Sequence, residues 1–366
     1  MAIGFDSSWP SLSFDVEIYN LMKRIFLLST LAIVISFVSC SKDGDGNENF
    51  TGVVTVTQKG TLKSLLQKYG LIDATQLTIA GTLGEADFET LKGLRSLESL
   101  DLSGVNISTL PAYALYERYL KSIILPENLK EIGLAALSKN SITMITIPPS
   151  VHTIGELAFA HCEDLETVSL SPNSQLKTIM GNRSASYNTG GAFYCCKSLT
   201  SINIPASVEI IGYWAFDHCH ALRTVTFQPN SRLKIMDGAF WVCESLTSIE
   251  IPAGIEILES TFVGCTSLKN VRFQTNSQLR TIGAATFQSC PLETIDASNC
   301  SYITSIGTPN GNMDLKTVNL FILGTKTPPL CNFLWLNNNA TLRVPQGCVN
   351  AYKNANGWKN FAYISE

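Results

Sequence analysis

The chain is short of charge. Only 15% of its 366 residues are Asp, Glu, Lys or Arg, where a globular chain carries about 25%. Ser, Thr, Asn and Gly stand in their place. With 45% hydrophobic residues it is too apolar for disorder, and a net charge of −4 without a basic patch argues against a nucleic-acid binder. The only long apolar run, Ile25–Val38, has 14 residues, fewer than a membrane-spanning helix needs. Catalytic signatures are missing too: Gly-x-Ser-x-Gly, His-Glu-x-x-His, Gly-x-Gly-x-x-Gly and the P-loop are absent. No nucleophile stands beside a partner base. The chain therefore reads as non-enzymatic, without cofactor or metal. Cysteine is plentiful instead: 11 residues, an odd number in a chain far longer than disulfide-framed domains.

The apolar run follows Met22-Lys23-Arg24 and ends at Phe37-Val38-Ser39-Cys40, the layout of a signal peptide. The Ser-Cys boundary resembles a bacterial lipobox, with Phe37 where Leu is usual. That resemblance implies cleavage before Cys40 and acylation of Cys40 as a lipid anchor. Residues 1–21, with Asp6, Trp9, Asp15 and Glu17, do not resemble an n-region, so translation is expected from Met22. The membrane is then touched only through the lipid. Ser41–Asn49 is polar and Gly-rich, a tether. Its acidity resembles a signal for display on the outer face of the outer membrane, which places the protein at the cell surface.

From about residue 97 one phrase recurs. Segments starting at Leu97, Leu120, Ile142, Leu165, Leu199, Leu222, Leu246, Leu268, Leu292 and Leu315 align without gaps. Their fourth positions run from Leu100 and Ile123 to Ile295 and Val318, mostly 22 to 24 residues apart, with one step of 34. A fixed period in the twenties is one rung of a solenoid. Alternating apolar residues within the phrase (Val168 and Leu170, Ile249 and Ile251) predict a short strand with one buried face. An Ile-Gly step follows, then an Ala/Thr-Phe pair such as Ala158-Phe159, Ala215-Phe216 and Thr261-Phe262. Small residues let rungs approach, and Phe is expected to stack on Phe down the axis.

The spelling Ile204-Pro205, Val208, Ile211-Gly212, Ala215-Phe216, Cys219 and Leu222 resembles the BspA-like leucine-rich-repeat family of bacterial surface proteins. So do the ending Leu342-Arg343-Val344-Pro345 with Gly357-Trp358-Lys359-Asn360-Phe361, and the opening block Gly60–Leu94. The first rungs depart from it, since Ala136-Leu137 replaces Ala-Phe, as does the eleven-residue insertion after Ile179. The expected fold is an α/β repeat protein, a leucine-rich-repeat solenoid of about ten rungs with helical caps at both ends. The expected boundaries are leader 1–39, tether 40–52, N-terminal cap 53–96, solenoid 97–324 and C-terminal cap 325–366. Leu62, Leu65, Leu66 and Tyr69 would form the N-terminal capping helix. Val349, Tyr352, Trp358 and Phe361 would cover the last rung.

Cys162, Cys196, Cys219, Cys243, Cys265 and Cys290 each fall three residues after a rung Phe, which predicts a buried thiol ladder. Ligands one per rung cannot converge on a tetrahedral ion. Parallel side chains also do not point at one another to form disulfides. Cys195 would face away from its neighbour Cys196, while Cys300, Cys331 and Cys348 have no assigned place. His161, His218 and His220 flank the ladder as surface turn residues. The pair around Cys219 is expected to splay apart on extended chain. Glu250, Arg272 and Asp296 fall on successive rungs as a cross-strand charge ladder.

Binding is the reading left. The insertion Met180–Gly190 carries Arg183 and Tyr187, and departures from period map to loops on one face. Tyr194, Trp214 and Trp241 sit at or beside the Phe turn, with Tyr194 and Trp241 in one register two rungs apart, about 10 Å. They could form an aromatic hot spot or a platform for a sugar ring. The family resemblance implies adhesion to host or neighbouring-cell proteins. Glycan capture by a surface lipoprotein is the alternative.

Overall fold

The computed structural model describes residues 37–42, 48–182, 190–307, 313–315, 317–337 and 339–366. The expected leader up to residue 36, Arg183 and Tyr187 lie outside the described residues.

Each repeat phrase forms a short strand, and corresponding residues of successive phrases lie side by side. Met144–Ile147, Thr167–Leu170, Ser201–Ile204 and Thr224–Phe227 form one parallel sheet. Ile145 faces Val168 and Ile202 faces Val225, as the gapless alignment requires. The long 34-residue step is absorbed outside the strands, because Thr167 still pairs with Ser201. Side chains alternate between core and solvent along each strand. A second stretch runs through Ser248–Ile251, Asn270–Phe273, Thr294–Ala297 and Leu320–Leu323. Here one expected register is corrected: Ile295 pairs with Phe321, three residues beyond Val318. Val318, fully buried, occupies the place of the leading Leu292 rather than the fourth position.

The Ile-Gly steps form a second ladder of two-residue strands, Thr109–Leu110, Glu131–Ile132, Thr153–Ile154, Thr178–Ile179 and Ile210–Ile211, continued by Ile257–Leu258 and later pairs. The glycine N–H binds the preceding rung: Gly155 donates to Ile132 O (2.7 Å) and Gly283 to Leu258 O (2.8 Å). On the first of these strands Pro111 stands in that register. It has no N–H to leave unpaired at the sheet edge.

The third side of the rung is the Phe turn. Phe159, Phe193, Phe216, Phe240 and Phe262 are fully buried. They stack with centroids 5.1–5.9 Å apart and planes within 9°. Each such burial contributes about 1.5–3 kcal/mol. The turn bends through two left-handed residues flanking the Phe. Two before it come Leu157, Trp214, Gly238 and Ser260; two after it come His161, Cys195, His218, Val242, Gly264 and Ser289. Most are not glycine, so the turn carries strain of about 1–2 kcal/mol per residue that packing must offset.

Both ends are built from the same materials. Strand β1 (Phe37–Lys42) pairs antiparallel with β2 (Glu48–Val56). Next come α1 (Leu62–Lys68), β3 (Gln76–Gly81), α2 (Glu85–Gly93) and β4 (Ser99–Val105), with β2, β3 and β4 parallel. Residues 48–52, expected in the tether, thus begin a strand of a five-stranded N-terminal sheet that ends at Ser122–Ile124; Val54 and Val56 are its buried alternation. Buried Asp87 joins the helix starts, accepting from the N–H groups of Gly60 (2.6 Å), Leu62 (2.9 Å) and Gly84 (2.8 Å). At the other end, α3 (Val349–Asn354) and the turn at Trp358 close the core. Tyr352 Oη donates to Thr325 O (2.8 Å), and Trp358 Nε1 to Pro329 O (2.7 Å). Trp358 and Phe361 pack on Phe321, centroids 5.8 and 6.4 Å away. The sheet continues past the cap, with Thr341–Arg343 pairing Tyr363–Ser365. No helix among the described residues is long and apolar enough to cross a membrane.

Candidate functional site

Thr146, Ser169, Asn203 and Thr226 form an exposed, uncharged column across four strands of the main sheet. Thr226 Oγ1 donates to Asn203 Oδ1 (3.1 Å) across one rung step. Glu250, Arg272 and Asp296 follow, in register on successive strands. Asp296 Oδ1 accepts the Ser298 N–H (3.1 Å), so the carboxylate is partly engaged within its own turn. Ion pairs between rungs sit instead on the connecting segments: Lys121–Glu98 (2.9 Å), Lys197–Glu163 (2.8 Å) and Lys269–Glu293 (2.8 Å). All are exposed, and such pairs are worth little individually.

The insertion leaves and rejoins its rung at a pinched base. Gly181 and Gly191 form an antiparallel bridge, and Ala192 N–H donates to Met180 O (2.9 Å). The next rung presses against this base: a Cβ on Gly181 would lie 2.0 Å from Tyr213 O, and one on Gly191 2.1 Å from Ala215 Cα. The loop therefore emerges beside Tyr213 and Trp214, although its own residues Arg183 and Tyr187 fall outside the described ones.

The aromatic residues divide into two groups. Trp214 lies 5.8 Å from Trp241, and Tyr213 lies 5.0 and 5.8 Å from them. Tyr213, which the repeat pattern did not single out, covers Gly238: a Cβ there would meet its ring at 2.0 Å, and its φ of +61° is left-handed. Trp241 Nε1 donates to Ser260 O, whereas the buried Trp214 Nε1 has no partner among the described residues. Tyr194 packs elsewhere, edge-on to His161 (5.2 Å) and His218 (5.8 Å). Shared register did not bring Tyr194 and Trp241 into one ring group, because Asp217 occupies that register on the rung between them. Burial pushes the Tyr194 hydroxyl up to about 12. Burial also lowers the His161 pKa, against the pull of Glu163.

The thiol ladder has a specific job. Each Phe N–H donates to the next rung's Ala or Thr carbonyl, as Phe193 does to Ala215 O (2.8 Å). Its own carbonyl accepts the next rung's thiol: Cys196 to Phe159 O (3.2 Å), Cys219 to Phe193 O (3.3 Å), Cys243 to Phe216 O (3.2 Å), Cys265 to Phe240 O (3.1 Å) and Cys290 to Phe262 O (3.0 Å). Cys162 does the same for Leu137 O (3.2 Å). One rung earlier the register holds Asn140, whose Nδ2 donates to Leu115 O (2.8 Å). The register, three after Leu137, would have found it. Burial raises the thiols, Cys162 from 9.0 to about 12. Cys195, Cys300, Cys331 and Cys348 are also free thiols.

One histidine expectation is corrected. His218 and His220 do not splay apart: the left-handed φ of 59° at His218 turns the chain, and the two rings lie 5.5 Å apart. No group of three His, Cys, Asp or Glu among the described residues is arranged around a metal ion.

The repeat-family model that matches the chain agrees with this architecture. The model for "BspA type Leucine rich repeat region" matches residues 75–186 and 189–310, in six copies. Solved structures similar to the chain include a leucine-rich repeat protein from Bacteroides ovatus, 20% identical, with 92% of this chain and 99% of that one covered and a TM-score of 0.41. The T. pallidum leucine-rich repeat protein is 21% identical, with 69% and 86% covered and a TM-score of 0.38. The pneumococcal vaccine antigen PcpA is 14% identical, with 92% and 99% covered and a TM-score of 0.42. No curated protein matched. With the repeat model matched across more than half its length, the chain belongs to the BspA-type leucine-rich-repeat family.

Proposed function

We propose that the chain is a non-catalytic interaction protein of the cell surface that holds host or neighbouring-cell proteins on its solenoid face. The observation that carries this reading is the uncharged exposed column Thr146, Ser169, Asn203 and Thr226, continued by Glu250, Arg272 and Asp296. A flat array of donors and acceptors at one-rung spacing suits an extended protein surface, and solenoids use such faces for recognition. Lipid attachment at Cys40 would anchor the chain to the membrane through its N-terminal end. Palmitate labelling of cells tests the anchor: Cys40→Ser should lose the label, and retained label would overturn it.

Binding to an array of secreted and surface proteins, run beside a glycan array, tests the function. Protein binding that survives Trp241→Ala supports the proposal. Glycan binding lost on Trp241→Ala and Tyr187→Ala would overturn it in favour of glycan capture. The Trp214–Trp241 ring pair is the feature that favours this second reading. Turnover of any arrayed substrate would contradict both.

A further inference from the structure

We propose that His218 and His220 form a solvent-accessible site for one divalent transition-metal ion of the Zn2+ or Cu2+ class. The two imidazoles are brought together by the Phe turn. His218 is its left-handed residue (φ 59°), so the side chains at positions two apart approach instead of alternating, with ring centroids 5.5 Å apart and planes at 80°. Two imidazoles sharing a tetrahedral ion, each at a Zn–N distance of about 2.0–2.1 Å, have centroids about 5 Å apart. The rings therefore stand near the separation that shared coordination requires.

Their protonation is arranged for the same purpose. His218 Nδ1 is 2.6 Å from Asp217 Oδ1, and His220 Nδ1 is 3.1 Å from Glu244 Oε2 on the next rung. An ionised carboxylate can only accept, so in the neutral imidazole each Nδ1 carries the hydrogen and each Nε2 keeps its lone pair. A carboxylate behind a histidine is the arrangement that orients metal-bound imidazoles and raises their basicity. Asp217 is buried, which fixes its carboxylate behind the ring. The Tyr194 ring, 5.8 Å from His218, limits rotation of that ring on its other side. The side chains of His218 and His220 are 39% and 35% exposed, so an ion can reach them from solvent. Cys219 between them takes no part, since its thiol is buried against Phe193 O.

No third His, Cys, Asp or Glu among the described residues converges with them. Two protein ligands leave the remaining positions to solvent, so the fold does not depend on the ion. By the general affinity order Cu2+ should bind more tightly than Zn2+.

Calorimetric titration of the untagged full chain with zinc chloride under reducing conditions tests this, paired with electron paramagnetic resonance of one equivalent of Cu2+. One Zn2+ per chain and nitrogen hyperfine lines from two imidazoles are expected. His220→Gln should weaken Zn2+ binding roughly tenfold or more with an unchanged circular dichroism melt. Binding that persists in the His218→Gln/His220→Gln double variant, or no binding at millimolar Zn2+, overturns the proposal. A Cu2+ spectrum without imidazole nitrogen lines also overturns it.

Discussion

At the scale of the residue, the ladder cysteines show how a side chain is chosen by one buried carbonyl that can accept a second hydrogen bond. The C=O groups of Phe159, Phe193, Phe216 and Phe262 each accept the N–H of the Cys three residues on at 3.1–3.3 Å. The small buried S–H of the next rung adds a second bond to the Phe carbonyls at 3.0–3.3 Å. Replacing Cys219 by Ala removes one of two hydrogen bonds on Phe193 O, where the Cys196 N–H (3.2 Å) remains, and should cost about 0.5–1.5 kcal/mol in chemical denaturation. Ser keeps a donor and should cost less. The same burial makes stability depend on alkali. A thiol whose folded pKa lies above its unfolded value stabilises fully below the unfolded pKa. That contribution is lost as pH rises through the folded one. For Cys162 the window runs from 9.0 to about 12, so the melting temperature should fall with rising pH across it. Cys162→Ala should flatten that fall, and an identical pH profile would contradict the ladder's role. The left-handed positions give a change of opposite sign. Ser289 is exposed with φ 64°, and Ser289→Gly should raise stability by about 0.5–1 kcal/mol, read as a higher melting temperature.

At the scale of the element, the strands were legible and their surroundings less so. Alternation and period were enough to pair Val168 with Ile145 and Ile295 with Val271, since a one-residue slip would expose each core residue. The last rung misled because Leu315 mimics a leading Leu, while buried Val318 fills that place. Strands β2 and β3 were hidden for another reason: they join the same sheet without spelling the repeat phrase. The clusters around His218 and Tyr213 could not be read from spacing alone, because left-handed turn residues redirect their side chains. The insertion base gives an element-scale test. Gly191→Ala places a methyl 2.1 Å from Ala215 Cα and should cost about 2 kcal/mol, measured by urea unfolding. In the N-terminal cap, Asp87→Ala strands the buried Leu62 N–H and the partly buried N–H groups of Gly60 and Gly84, and should cost about 1–3 kcal/mol. Amide exchange at Leu62 should rise before exchange in the central strands.

At the scale of the whole molecule, low charge and high cysteine are two results of one plan. Stacked rungs bury the phrase, the Ile-Gly step and the Phe turn, and leave Ser, Thr and Asn where side chains meet water. Each rung contacts only its neighbours, so function resides on a surface assembled from many rungs rather than in a pocket. That surface is the central claim. Its most direct test is the affinity of a protein ligand for the wild-type chain and for the Asn203→Arg/Thr226→Arg variant, whose substitutions point to solvent and leave the core intact. The account predicts at least a tenfold loss of affinity with an unchanged melting temperature. Unchanged affinity in that variant, with loss only on Trp241→Ala, would contradict it.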